Sequence, residues 1–242
     1  GIGPTLLVIP GITSPAICWS FVAKRLVEQF DVHVLDVRGR GLSEAGELDY
    51  SLDAMASDAI EVTKAAGFDK PIVLGHSMGA RIAIRAAAMS LNSFSGLVLV
   101  DPPVSGPGKR EYPTPWAWYE DSIRMALKGC SVEDMKQYCP TWTDVQLSQR
   151  AEWLHTCQLD AVKTAYDGFH SDDIHKDFPR LAIATRLVVA GDAPVIQDDD
   201  IAEIKRLNPN IDVKIVGNAG HMIPWDNLQG FLDAILDFSI HS

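Results

Sequence analysis

The chain has 242 residues, 47% of them hydrophobic, and carries a formal net charge of −11 from 21 Lys+Arg against 32 Asp+Glu. That length and apolar content suit one large domain, or a core with an insertion. The acidic balance and the lack of a basic run exclude a nucleic-acid partner, and no apolar run reaches the roughly 18 residues that cross a bilayer.

In chain order, short apolar strands alternate with helical stretches, the pattern of a parallel sheet covered on both faces. Thr5–Ile9 reads as a strand, 16–29 as a helix, Val32–Asp36 as a strand and 51–66 as an amphipathic helix. The chain enters its first strand almost at once, so the β-hairpin that usually precedes such a strand is expected to be missing from its start. Pro71–Leu74 is the next strand, 80–89 an alanine-rich helix, and Leu97–Asp101 a further strand. The alternation then stops. Residues 102–179 show helical apolar spacing, no convincing strand, and a cluster of aromatics: Trp116, Trp118, Tyr119, Trp142 and Trp153. They read as a helical cap inserted into a core of residues 1–101 and 180–242, with those aromatics near a pocket. The core resumes with strand 186–190, helix 199–207, strand 212–216 and a closing helix over 225–240.

The chemistry centres on Gly75-His76-Ser77-Met78-Gly79, a G-x-S-x-G turn between a strand and a helix. Glycines flank the serine because a turn this sharp leaves no room for Cβ atoms. The turn exposes Ser77 at a helix N-terminus, where the dipole favours developing negative charge. A serine hydroxyl needs a neighbouring base. His221, in the loop after the last strand, occupies the right place in the chain order. His76 fills the variable position of the turn and is expected to point away from the reaction. His33 reads as packing, and His155, His170, His175 and His241 as peripheral.

The third member must hold the imidazole tautomer. Asp101 ends the strand after the Ser77 helix, and strand ends are where such sheets gather their functional groups. Asp192, in Gly191-Asp192-Ala193-Pro194, is the alternative, because a proline stands where the more common acid would be. The residues leave both open. Backbone N–H groups of Met78 and Ile12, the latter in Pro10-Gly11-Ile12-Thr13, are the expected oxyanion donors. The loop Asp36–Ser43 reads as a structural turn pinned by Arg38. The four cysteines, Cys18, Cys130, Cys139 and Cys157, form no Cys-x-x-Cys pair and read as reduced thiols of a cytoplasmic protein; no metal and no cofactor is implied.

Together these residues resemble the α/β-hydrolase superfamily over essentially the whole chain. Within it, the Ser77-to-Asp101-to-His221 spacing and Val100-Asp101-Pro102-Pro103 are similar to the N-formylmaleamate deformylases of aerobic nicotinate degradation. That resemblance implies a Ser77–His221–Asp101 triad, with Asp101 preferred to Asp192, and hydrolysis of a small carboxylate substrate to maleamate and formate. It also implies a cation for the substrate carboxylate, for which Lys109, Arg110 and Arg124 are candidates, with Trp118 and Trp142 lining the pocket. The same triad could serve another small ester or a carbon–carbon bond. A non-catalytic small-molecule receptor is a further alternative. No feature of the sequence indicates an oligomeric state.

Overall fold

The computed structural model describes residues 1–238, so Ile240 of the expected closing helix and His241 lie outside the described residues. Six parallel strands build the sheet: β1 (Thr5–Ile9), β2 (Asp31–Val34), β3 (Ile72–His76), β4 (Gly96–Val100), β5 (Ala184–Ala190) and β6 (Asp212–Val216). Their order across the sheet is β2-β1-β3-β4-β5-β6. β3 and β4 are buried along their whole length, as expected for central strands covered on both faces. The chain moves from β1 outward to β2 and then returns to the other side of β1 with β3. The crevice at the carboxyl ends of β1 and β3 is therefore the point where strand order reverses, the usual ligand position in an open α/β sheet.

Helix α1 (Ser20–Leu26) follows a 3₁₀ turn at Ala16–Trp19, so the single helix expected over 16–29 is two shorter pieces. α2 (Leu52–Ala65) begins at Ser51, whose hydroxyl caps the Ala54 N–H. α3 (Met78–Met89) packs on the sheet through alanines that allow close approach; Ala80, Ala83, Ala86, Ala87 and Ala88 are all buried.

Between β4 and β5 lie four helices: α4 (Trp116–Leu127), α5 (Val132–Lys136), α6 (Asp144–Trp153) and α7 (Leu159–Ser171). Ser131 and Thr143 form capping boxes with Asp134 and Gln146 that start α5 and α6. Arg81, inside α3, ties this segment to the sheet. Its guanidinium is buried and donates to the carbonyls of Pro103, Ser105, Gly168 and Asp172. α8 (Asp198–Leu207) precedes β6. The closing helix is broken into α9 (Ile223–Asp226) and α10 (Leu228–Leu236). The break falls at Asn227, whose non-helical backbone (φ −143°, ψ 77°) and side-chain bond from the Gly230 N–H make it an N-cap rather than a helical residue. No helix among the described residues is long and apolar enough to cross a membrane.

Candidate active site

Ser77 sits between β3 and α3 with φ 54° and ψ −118°, a conformation that L-residues rarely adopt. Its N–H extends the β3–β4 ladder by donating to Val100 O at 2.8 Å. The flanking glycines are obligatory. A Cβ on Gly75 would collide with the backbone of Gly79 and Ala80, and one on Gly79 with the backbone of Ile9 and Pro10. Asp101, one residue past β4, also has positive φ, 45°, and its N–H donates to Val188 O at 2.8 Å. Asn218, in the loop that carries His221, has φ 53°. Three strained non-glycine residues thus gather at the carboxyl edge of one sheet, as is common where geometry serves a site rather than stability.

The side chains meet in a line. His221 Nε2 lies 2.9 Å from Ser77 Oγ, and His221 Nδ1 lies 2.7 Å from Asp101 Oδ2. A carboxylate accepts only, so Nδ1 carries the proton and Nε2 is left to accept from the serine hydroxyl. Asp101 is 0% exposed, and its other oxygen accepts from the Ala190 N–H at 3.2 Å. Asp192, the alternative acid, is exposed; only its backbone is engaged, donating to Ala219 O at 3.0 Å.

His76 departs from expectation. It is buried, its ring lies 5.1 Å from that of His221, and its Nε2 donates to the His221 main-chain carbonyl at 2.9 Å. Burial, together with the neighbouring His221, pushes its pKa down to about 3. β3 continues through His76, which turns the side chain toward Trp19 and Trp225 rather than away from the site.

The loop after β1 lies against the elbow. A Cβ on Gly11 would stand 3.1 Å from His76 Nδ1 and 3.5 Å from Ser77 Cβ, so this loop approaches the serine through a glycine. The Ile12 N–H makes no turn or loop bond among the described residues, and the first N–H groups of a helix such as α3 have no acceptor within it. Ile12 and Met78 are the residues from whose N–H groups the sequence predicts oxyanion donors. Behind the loop stands Arg40, which the sequence did not single out. It is buried and donates from Nε to Ile12 O at 3.1 Å, and from its other nitrogens to Arg38 O and Ala161 O. Desolvation lowers its pKa to about 10. Arg38 instead reaches outward, pairing with Asp58 and donating to Asp49 O. Asp36, expected at the end of β2, lies beyond it; its carboxylate accepts from the N–H groups of Ala16 and Leu42 and closes the turn.

Ser77 and His221 open into a cavity of about 820 Å³, within the range of small-molecule sites. Trp118, Tyr119 and Trp142 line it, as do Tyr112 and Cys139. Trp116 and Trp153 do not. The three cations suggested by sequence are also elsewhere. Lys109 pairs with Glu203, Arg110 with Asp200 and the Pro194 carbonyl, and Arg124 with Glu120 one turn away. Each is satisfied at the surface and none lines the cavity. Among the described residues the cation that does so is Arg150 of α6, which is buried with the Trp118 and Trp142 rings close to its guanidinium. Its signal was lost because an arginine in the last turn of a capped helix reads as a solvated charge facing the helix dipole.

The sequence matches the alpha/beta hydrolase family over residues 6–234. It is 55% identical over 242 residues, all of this chain and 90% of the other, to the N-formylmaleamate deformylase of Pseudomonas putida KT2440. A crystal structure of a serine-to-alanine variant of the N-formylmaleamic acid deformylase of Pseudomonas putida S16 superposes with a TM-score of 0.95. The two are 62% identical, over 97% of this chain and 92% of that one. A shorter match, 33% identity over 101 residues, links 42% of the chain to 36% of the 2-(acetamidomethylene)succinate hydrolase of Mesorhizobium japonicum. With its parallel sheet, its strand–elbow–helix and a match that runs from β1 into α10, the chain belongs to the alpha/beta hydrolase family.

Proposed function

We propose that this enzyme hydrolyses N-formylmaleamate to maleamate and formate, with Ser77, His221 and Asp101 as its catalytic triad. The chemistry rests on the unbroken hydrogen-bond path from Asp101 through His221 to Ser77 at the floor of the cavity. The substrate rests on full-length likeness to the Pseudomonas putida enzyme.

Ser77 Oγ attacks the formyl carbon while His221 Nε2 takes its proton, and Asp101 stabilises the imidazolium through Nδ1–H. The carbonyl oxygen becomes an oxyanion held by the Ile12 and Met78 N–H groups. Collapse breaks the carbon–nitrogen bond, and His221 returns the proton to the departing nitrogen, releasing maleamate. That nitrogen is conjugated to a second acyl group, so it leaves more readily than a simple amine. His221 then activates a water, which attacks the formyl ester and releases formate. Residues 102–179 act as a helical cap over this site, and the reaction takes place in the cytoplasm without metal or cofactor.

The test is formate release from N-formylmaleamate by the purified enzyme, with maleamate as the equimolar co-product. Failure to release formate, with esterase activity toward small esters intact, would redirect the assignment to another bond within the same family.

A further inference from the structure

Three arginines of this protein are buried without an ion pair among the described residues: Arg40, Arg81 and Arg150. Two are satisfied by neutral acceptors. Arg40 donates to three carbonyls and approaches the Met78 sulfur, and Arg81 donates to four carbonyls. Arg150 is different. It is 3% exposed, yet its five N–H donors make only two bonds, both at 3.2 Å and both to Thr13, one to the carbonyl and one to Oγ1. Its Nε is buried with no partner at all.

An unpaired buried guanidinium with spare donors is costly, and native structures rarely leave such groups unanswered. The Trp118 and Trp142 rings lie 5.6 and 5.7 Å from its central carbon. Aromatic rings offset part of the desolvation of a cation, but they donate no acceptor. What remains unmet is the Nε–H together with the further Nη–H donors, and a carboxylate is the acceptor that answers a guanidinium best. Arg150 lines the same cavity as Ser77 and His221. The two carboxylates that share this lining do not reach it: Asp192 is exposed, and Asp226 accepts from the Gly220 N–H and the Thr141 hydroxyl.

We infer that Arg150, flanked by Trp118 and Trp142 and steadied by Thr13, is the seat for the substrate's carboxylate, and that it makes the enzyme selective for anionic acyl compounds. The inference deepens the proposed deformylase reading and rests on it for the identity of the substrate. Thr13 is the residue after Ile12, so the seat and the oxyanion loop share one short stretch of backbone. Binding the carboxylate at Arg150 thereby registers the reacting carbonyl against Ser77.

The experiment compares wild type, Arg150→Gln and Arg150→Lys with two matched pairs of compounds: maleamate and its methyl ester as binding ligands, and N-formylmaleamate and its methyl ester as substrates. Wild type should prefer each acid over its neutral ester. Arg150→Gln should lower kcat/KM for N-formylmaleamate on the order of 10²-fold, chiefly through KM, and abolish the acid-over-ester preference in binding. If that variant does not fold, Arg150→Lys carries the test; it keeps the charge, loses the fork, and should reduce the preference about tenfold. Equal maleamate affinity in wild type and Arg150→Gln, an unchanged preference in Arg150→Lys, or no saturable maleamate binding to wild type overturns the inference. Arg150-dependent binding of maleamate without formate release would leave the seat standing and sink the deformylase reading. Formate release with equal kcat/KM in wild type and Arg150→Gln would do the reverse.

Discussion

The imidazole of His76 donates from Nε2 to the main-chain carbonyl of His221 across 2.9 Å. The residue beside the candidate nucleophile thus holds the backbone of its candidate base. A carbonyl can only accept, so Nε2 carries the proton; Nδ1 is bare and has no partner. The bond to the carbonyl by itself favours a charged ring, but burial, with His221 alongside, outweighs it and depresses the pKa from 6.5 to about 3, so the ring is neutral.

A pH dependence follows. Between about pH 6.5 and about pH 3 the unfolded chain binds a proton at His76 that the folded protein does not. The stability from keeping this ring neutral is therefore present above pH 6.5 and is lost as pH falls, at up to about 1.4 kcal/mol per pH unit. His76→Gln retains an N–H donor and has no titration. Urea unfolding at pH 7, 6 and 5 should show a stability slope shallower by about one proton in the variant. Parallel slopes would show that His76 titrates normally.

Ser77→Ala should abolish formate release, with a loss on the order of 10⁴ to 10⁶ in kcat and an unchanged circular dichroism spectrum. The same variant should resist labelling by a fluorophosphonate that modifies the wild type. More than a tenth of wild-type kcat in the pure, folded variant would remove Ser77 from the chemistry.

Asp101→Asn keeps the shape of the residue that faces His221 Nδ1 but offers it a donor or a weaker acceptor, favouring the wrong tautomer. A loss of about 10⁴ in kcat is expected. Asp192→Asn alters an exposed side chain with no hydrogen bond to His221 and should leave kcat within about threefold of wild type. Steady-state kinetics of the two folded variants decide between them, and a reversed ranking would transfer the role to Asp192.

Arg40 holds the Ile12 carbonyl, one peptide unit on from the N–H of the same residue that is a candidate oxyanion donor. Arg40→Met leaves three carbonyls without their donor. It should destabilise the fold by about 2–4 kcal/mol and lower kcat more than it raises KM, because the oxyanion loop loses its anchor. Chemical denaturation and steady-state kinetics on the same preparation measure both. A variant that loses stability but keeps kcat would limit Arg40 to a scaffold role.

The sequence by itself determined the parts whose information is local. Strand–glycine–serine–glycine–helix is readable because Gly75 and Gly79 answer a steric demand within five residues of chain. The parallel sheet is readable because buried strands such as Leu97–Val100 are continuous apolar runs. His221 followed from chain order once the elbow was placed. Tertiary structure decided everything that depends on two segments meeting. Asp101 and Asp192 are both aspartates just beyond strand ends, and only the β4–β5 pairing and the positive φ at Asp101 bring one of them to 2.7 Å from His221 Nδ1. Lys109, Arg110 and Arg124 look like free cations in sequence, yet each is paired with an acid. Arg40 and Arg150 look like surface charges and are buried at the site. The pattern of a chain records which residues prefer water. It does not record which charge has lost its water to an incoming helix, because that depends on burial across more than a hundred residues of separation, as between Arg150 and Thr13.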